Sequence, residues 1–437
     1  TVNVPIGLRL PEKPGSILVE GQGHNINMSD FLETYAYRNY REDRNLGLEV
    51  SQGQTLGLVG GDIFLRGGNL TSDGGRVELG SVQNGVVEIT TDRTLSYDKN
   101  LEFGQIILSE ASSIDISGNG RVEFQIQGEE INVQDNSLIL GKILGDEDGG
   151  NSIIRASKSI KIGPTKPFEK IPVKIKIANF IQTFNKTMSF IFLNTYGKGD
   201  VGELRVKTES LTLQDGALIY TGTLGDGDAG NLTVSARDIE INGGGYLTGF
   251  FPTTLAEGNG GNLTVEVAES LTLQDGAFMS TATTSGDGNA GNLTVSARGI
   301  EMSGFVVVTT TTETTGNGGN LTVKAAESLT LQDGAIITTT TYGEGNAGNL
   351  TVSARDILSG YSTILSAETL GQGKGGNLTV KAAESLTLQD GAFISTKTSG
   401  DGDAGNLRLS ARDIEIIGKS PDGEFLSSRL SAEATNG

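Results

Sequence analysis

Apolar and polar residues alternate along this chain in short runs. Leu321-Thr322-Val323 alternates, Leu329-Thr330-Leu331 does so again, and Ala335-Ile336-Ile337-Thr338-Thr339 is largely β-branched. Period-two alternation built from Thr, Val and Ile predicts strands, and no helical spacing competes with it. Asp333-Gly334 predicts a turn between the second and third runs. Gly343-Glu344-Gly345-Asn346-Ala347-Gly348 predicts a closing loop that glycine makes easy to follow.

The same unit recurs. Gly230-Asn231-Leu232-Thr233-Val234 returns with Asn262, Asn292, Asn320, Asn349, Asn377 and Asn406, in steps of 31, 30, 28, 29, 28 and 29 residues. A second pattern has twice that period. Ser210-Leu211-Thr212-Leu213-Gln214-Asp215-Gly216-Ala217 recurs from Ser270, Ser328 and Ser385, and the units between carry Ala236-Arg237-Asp238-Ile239-Glu240-Ile241 or a variant. The residue before Gly-Asn also alternates between Ala and Gly. Three short strands and three corners per repeat describe one coil of an all-β solenoid, a parallel β-helix, with about 29 residues per coil in the C-terminal half.

One coil cannot bury its own apolar face, so stacking supplies the core. Leu232, Leu263, Leu293, Leu321, Leu350 and Leu378 should form one interior column and Val234, Val265, Val295, Val323, Val352 and Val380 the next, with the threonines between them outside. Seven strand spacings give a rod of roughly 34 Å. Asn-Leu-Thr also fits an N-glycosylation acceptor. Its strict period favours stacked asparagines that hydrogen-bond in a ladder. The frame of leucine-rich repeats is absent.

Composition supports a narrow core. The chain has 437 residues, with 64 Gly, no Cys, no Trp, one His and 5% aromatic content. That is thin for a large globular domain and suits a solenoid. A net charge of −20 disfavours nucleic acid as a partner and fits an exported surface or one that meets divalent cations. The absence of cysteine excludes disulfides and thiol chemistry. No apolar run approaches membrane-spanning length. The chain opens at Thr1 without Met or signal peptide and stops at Gly437 within a further coil pattern, which suggests a mature fragment or an incomplete product.

In chain order, residues 1–45 lead in. Ser16-Ile17-Leu18-Val19-Glu20 reads as a strand, and Phe31 to Arg44, with Tyr35, Tyr37 and Tyr40, as a surface excursion packed on the flank. Residues 46–90 and 104–145 form shorter strands and smaller coils. Leu8-Arg9-Leu10-Pro11-Glu12-Lys13-Pro14-Gly15, Val59-Gly60-Gly61-Asp62-Ile63, Gly67-Gly68-Asn69-Leu70, Gly75-Arg76-Val77-Glu78-Leu79-Gly80-Ser81-Val82 and Asp115-Ile116-Ser117-Gly118-Asn119-Gly120 stand ahead of the repeats. In this order they resemble the filamentous-haemagglutinin-type exoproteins of two-partner secretion, in the form common in cyanobacteria. The resemblance implies a right-handed parallel β-helix that crosses the outer membrane unfolded through a dedicated β-barrel transporter. It also implies an amino-terminal secretion domain, of which this chain holds the end; the Asn-Pro motifs of that domain's first part are absent.

Residues 161–200 break the pattern. Lys161, Lys166, Lys170, Lys174 and Lys176 make the stretch basic, and Phe180, Phe184, Phe190 and Phe192 make it aromatic. Asn151 and Glu203 are 52 residues apart, more than one coil and less than two. A degraded coil with an inserted loop is the plainer reading; a docking loop is the alternative. The expected organisation is therefore residues 1–145 as the end of a secretion-type β-helix, 146–201 as an irregular coil with a basic and aromatic loop, and 202–437 as regular repeats.

Candidate chemistry is sparse. Asp215, Asp275, Asp333 and Asp390 recur in register, which indicates turns, and His24 stands alone as a satisfied surface residue. No non-repeating constellation of acids or bases indicates catalysis, so a non-enzyme is expected. Asp226 and Asp228, and Asp401 and Asp403, resemble fragments of calcium-binding Gly/Asp repeats. Calcium is the one cofactor they suggest, against a plain reading as solvated turns. Thr309–Thr312, Thr338–Thr341 and Ser395-Thr396-Lys397-Thr398 suggest flat threonine rows, and Phe278 and Phe393 an outer aromatic row. The reading is a secreted or cell-surface, outer-membrane-associated adhesin-like rod that meets glycans or surfaces along a repetitive face. The alternatives are a β-helical carbohydrate-active enzyme and a protein whose threonine face binds ice or mineral.

Overall fold

A computed structural model describes residues 6–26, 47–165, 172–177, 180–185, 188–418 and 427–435. Tyr35, Tyr37, Tyr40, Lys166 and Lys170 lie outside the described residues. The chain is a parallel β-solenoid of about 10 turns with three strands per coil. There is no helix among the described residues.

Two long parallel sheets run the length of the solenoid. The first two strands of each coil share one sheet, and the third strand builds the other. In the middle coils the first two strands are separate, as at Leu263–Val267 and Ser270–Gln274. Further on they fuse into single strands such as Leu321–Leu331 and Leu378–Leu388. The fused strands keep a register shift near Ala297, Lys324 and Ala354, because one repeat type has an extra residue there. The coils lengthen along the chain. Thr55 pairs with Arg76 at a step of 21 residues, Ile106 with Ile131 at 25, and Leu321 with Leu350 at 29.

The interior follows the sequence columns. Leu232, Leu263, Leu293, Leu321, Leu350 and Leu378 pair in register and are fully buried, as are the matching valines. The threonines between them are half-exposed on the outer face. The turn after the second strand sets both residues left-handed: φ is 52° at Asp333 and 86° at Gly334. Asp tolerates that region and Gly is indifferent to it.

The 52-residue gap is one coil step. Ser152 pairs with Leu204 and Ile143 with Thr195. The extra chain leaves between the second and third strands, and it contains an antiparallel hairpin of Pro172–Ile177 and Phe180–Asn185. Phe190 and Phe192 belong instead to the returning third strand. They join Leu138, Leu140, Leu218, Tyr220 and Phe251 in a second apolar cluster on the outer side of that sheet. Phe192 stacks on Tyr220 at 4.4 Å and Phe251 on Phe278 at 5.4 Å. The expected outer aromatic row thus exists, but much of it is covered. Phe393 is also covered, by the Arg429 guanidinium at 4.3 Å.

Near the amino-terminal end a small antiparallel sheet of Gly7–Leu10, Gly85–Ile89 and Leu95–Tyr97 lies against the solenoid. This flap is fixed by a buried charge cluster. Glu78, fully buried, is ion-paired with Arg76 and accepts the Leu95 N–H at 3.0 Å. Arg76 reaches on to Glu123 at 2.7 Å and Gln125 at 3.1 Å. Burial raises the Glu78 carboxyl pKa, and Arg76 works against that rise. Tyr97 lies over Gly80, where a side chain would meet the tyrosine ring.

Candidate functional site

The repeated Gly-Asn corner carries the stack. Asn320 donates its amide hydrogen to the Asn292 side-chain oxygen at 3.2 Å and its backbone N–H to the same oxygen at 2.9 Å. The same pair of bonds recurs from Asn231 to Asn406. A second ladder, which the sequence reading missed, runs through Asp228, Asn259, Asn289, Asn317 and Asn346. Its signal was the acidic or amide residue three places before every recurrent Asn except Asn377, where Lys374 stands.

The glycines beside the ladder are set by close approach. A Cβ at Gly319 would stand 2.6 Å from the carbonyl carbon of Gly291, one coil below. The residue before it has more room. A Cβ at Gly318 meets the Gly348 nitrogen at 2.9 Å, and the neighbouring coils have Ala290 and Ala347 at the equivalent position.

The threonine rows are largely buried. Thr310 and Thr339 point inward, fully buried, and donate to the carbonyls of Gly319 at 2.5 Å and Gly348 at 2.6 Å. Thr312 and Thr341 are also interior and donate to Asn317 and Asn346 carbonyls at 3.0 and 3.1 Å. These hydroxyls tie the third strand to the glycine corner and satisfy carbonyls that would otherwise be buried alone. Thr309 and Thr311 lie on the opposite side of the strand, also buried, and bond to each other at 2.8 Å, as do Thr338 and Thr340. The expected four-residue threonine row is therefore a two-residue outer row and an inner strut.

The doubled period has an electrostatic counterpart. At the corner between the first two strands, Glu209, Arg237, Glu269 and Arg298 follow one another on successive coils, joined by backbone hydrogen bonds. Arg298 lies between Glu269 at 3.0 Å and Glu327 at 3.1 Å. Arg412 bonds Glu384 at 2.5 Å. The neighbouring column alternates Ser and Asp except at Gly299. Ser270 donates to Asp238 at 2.6 Å and Ser385 to Asp356 at 2.7 Å. The Ser385 hydroxyl, then Arg355, hold the Asp356 pKa below its ordinary value. Like charges directly opposite on paired strands are destabilising, and alternation avoids them.

The individually chosen residues are dispersed. Asp228 is a rung of the second ladder and accepts the Asn259 N–H at 2.7 Å. Asp226 is exposed beside it, while Asp401 and Asp403 sit six coils away, roughly 29 Å along the axis. Asp403 approaches Lys374 at 3.9 Å. Among the described residues no group of three or more His, Asp or Glu is placed to hold a metal ion. His24 is a correction: it is satisfied but buried, at 1% exposure. Its Nδ1 accepts the Ile26 N–H at 2.8 Å, so Nε2 carries the proton and donates to the Asn136 carbonyl at 2.8 Å. Burial lowers its pKa.

No curated protein and no solved structure matches the chain. Residues 1–128 match the family model described as the TPS secretion domain. That stretch contains the short coils, the antiparallel flap and the buried Arg76–Glu78 pair. Such a domain implies a secreted protein with a transporter as its partner. With the solenoid behind it, the match supports a two-partner-secretion exoprotein of the filamentous-haemagglutinin type.

Proposed function

We propose that the chain is an adhesin-like structural rod, exported through an outer-membrane β-barrel transporter and held outside the cell, that contacts glycans or cell surfaces along its repetitive outer face. The observation that carries this reading is the joining of a TPS secretion domain to a solenoid whose outward positions repeat in register. Thr233, Thr264, Thr294, Thr322, Thr351 and Thr379 stand in one such row. Rows of this kind offer many weak, equivalent contacts, and avidity multiplies them without any one strong site. The exposed asparagine ladders and the inner threonine struts supply the stiffness that such a display needs. Four of the eight residues of Thr309–Thr312 and Thr338–Thr341 are turned inward or used as struts, which weakens the case for an ice- or mineral-binding face.

The test is a glycan-array and cell-binding assay on the purified chain, with and without calcium, after circular dichroism has established β structure. Saturable binding supports the adhesin reading. Its loss in chelator would assign the Asp226/Asp228 and Asp401/Asp403 loops a role in calcium binding. Absence of binding in both conditions would overturn adhesion and leave a spacer rod.

A further inference from the structure

We propose that the cleft between the flap and the solenoid is a discrete binding site for a short carboxylate-bearing oligosaccharide, distinct from the repetitive face and independent of the adhesin reading. The cleft encloses about 240 Å³. Its position follows from register. One outward column runs Gly80, Gln127, Arg155, Lys207 on successive coils. Tyr97 of the flap covers Gly80, and the flap ends there, so the chain from Asp98 to Phe103 stands as a wall over the next coils.

The lining suits an acidic sugar. Arg155 and Lys207 are paired neighbours, one strand spacing (about 4.8 Å) apart, and Lys99 faces them from the wall. All three are exposed, and none forms an ion pair among the described residues. Elsewhere the exposed arginines Arg298, Arg355 and Arg412 are each paired with a carboxylate. Two carboxylates share the lining. Asp98 is engaged by its own loop, accepting the Asn100 N–H at 2.8 Å and its amide at 2.9 Å, which leaves Glu209.

Gln127 forms the floor. It is 6% exposed, and its amide has no hydrogen-bond partner among the described residues. Its amide atoms stay open to the cleft, where a ligand's hydroxyls can reach them. Tyr97 and Phe103, tilted with centroids 6.1 Å apart, supply the apolar side that a sugar ring covers. A planar guanidinium beside an ammonium favours a carboxylate, which the fork can take with two parallel bonds. The chain's net charge of −20 opposes a long polyanion at distance, so a short oligomer is the fitting ligand.

Isothermal titration calorimetry of the full chain with tetragalacturonate at physiological salt tests the site. The variant Arg155→Ala/Lys207→Ala changes exposed side chains and should weaken binding at least about tenfold. Lys324→Ala/Lys381→Ala is the control, since both lysines occupy the same outward column without a wall beside them. It should leave binding unchanged. No binding by the unaltered chain, equal losses in the two variants, or tighter binding of a neutral or sulfated tetrasaccharide would each overturn the proposal. The cell-binding assay on the same variants is read separately, so loss of adhesion and loss of this site are distinguishable.

Discussion

Two adjacent glycines should respond very differently to the same methyl group. At Gly319 a Cβ would be 2.6 Å from the Gly291 carbonyl carbon and nearer still to its oxygen, whereas ordinary contact begins at 3.4 Å. Both partners are backbone, so no side chain can swing aside. The coils would have to part by more than an ångström where Leu293 N–H donates to the Asn320 carbonyl at 2.9 Å and Thr310 to Gly319 at 2.5 Å. Overpacking costs roughly 1–3 kcal/mol, and two or three loosened hydrogen bonds add about 1 kcal/mol each. Gly319→Ala should therefore cost about 3–5 kcal/mol. Gly318→Ala introduces the residue that both neighbouring coils already have, but meets the Gly348 nitrogen at 2.9 Å, and should cost about 1–2 kcal/mol. Because a solenoid's stability is a sum of neighbour terms, the damage should centre on the coils around residue 319. Urea unfolding followed by circular dichroism gives the total, and hydrogen exchange across residues 291–348 gives its location. Equal costs for the two variants, or a Gly319→Ala cost within about 0.5 kcal/mol of zero, would refute the close-approach argument.

The remaining predictions concern charge. His24 is the only imidazole, so one proton NMR titration reads it. Burial depresses its folded pKa, so its contribution to stability is complete above the unfolded value of about 6.5 and is lost as pH falls through the lower folded value. A midpoint below 6.5 is expected, with faster exchange of the Ile26 amide beneath it; a midpoint at or above about 6.5 would contradict the buried neutral ring. For the alternating column, Arg298→Glu sets three carboxylates in line with Glu269 and Glu327. The urea midpoint should fall at low ionic strength and recover in about 1 M salt, where the Debye length is about 3 Å. A loss that salt does not touch would point to packing instead of charge.

Much of this architecture was legible because a solenoid writes its core in one dimension. The Leu and Val columns, the Asn ladder and the Asp-Gly turn each follow from a residue type kept in step with the coil. The third strand was less legible. Its six positions in Ile336–Thr341 are small or β-branched on both faces, so alternation marks two faces but does not say which is inside. The 52-residue gap was legible as a coil with an inserted loop, since an excursion between two strands leaves their pairing intact. The flap left no periodic trace, because it unites residues near 8, 87 and 97 that no spacing connects, and it alone turns the in-register column of Gln127, Arg155 and Lys207 into a cleft.

The doubled period was plain in the sequence, but its reason required the stack. If every coil had the Glu-bearing unit, carboxylates would stand one strand spacing (about 4.8 Å) apart along the whole corner. If every coil had the Arg-bearing unit, guanidinium groups would do the same. Repetition by two keeps each Glu between arginines, as Glu327 lies between Arg298 and the field of Arg355. It also distinguishes the adjacent coil from the next but one, since a coil paired out of turn would set like charges opposite each other. Individual exposed ion pairs contribute little, so the value of the alternation lies in which pairing it permits. A chain whose coils are otherwise nearly identical has few other means of marking its register.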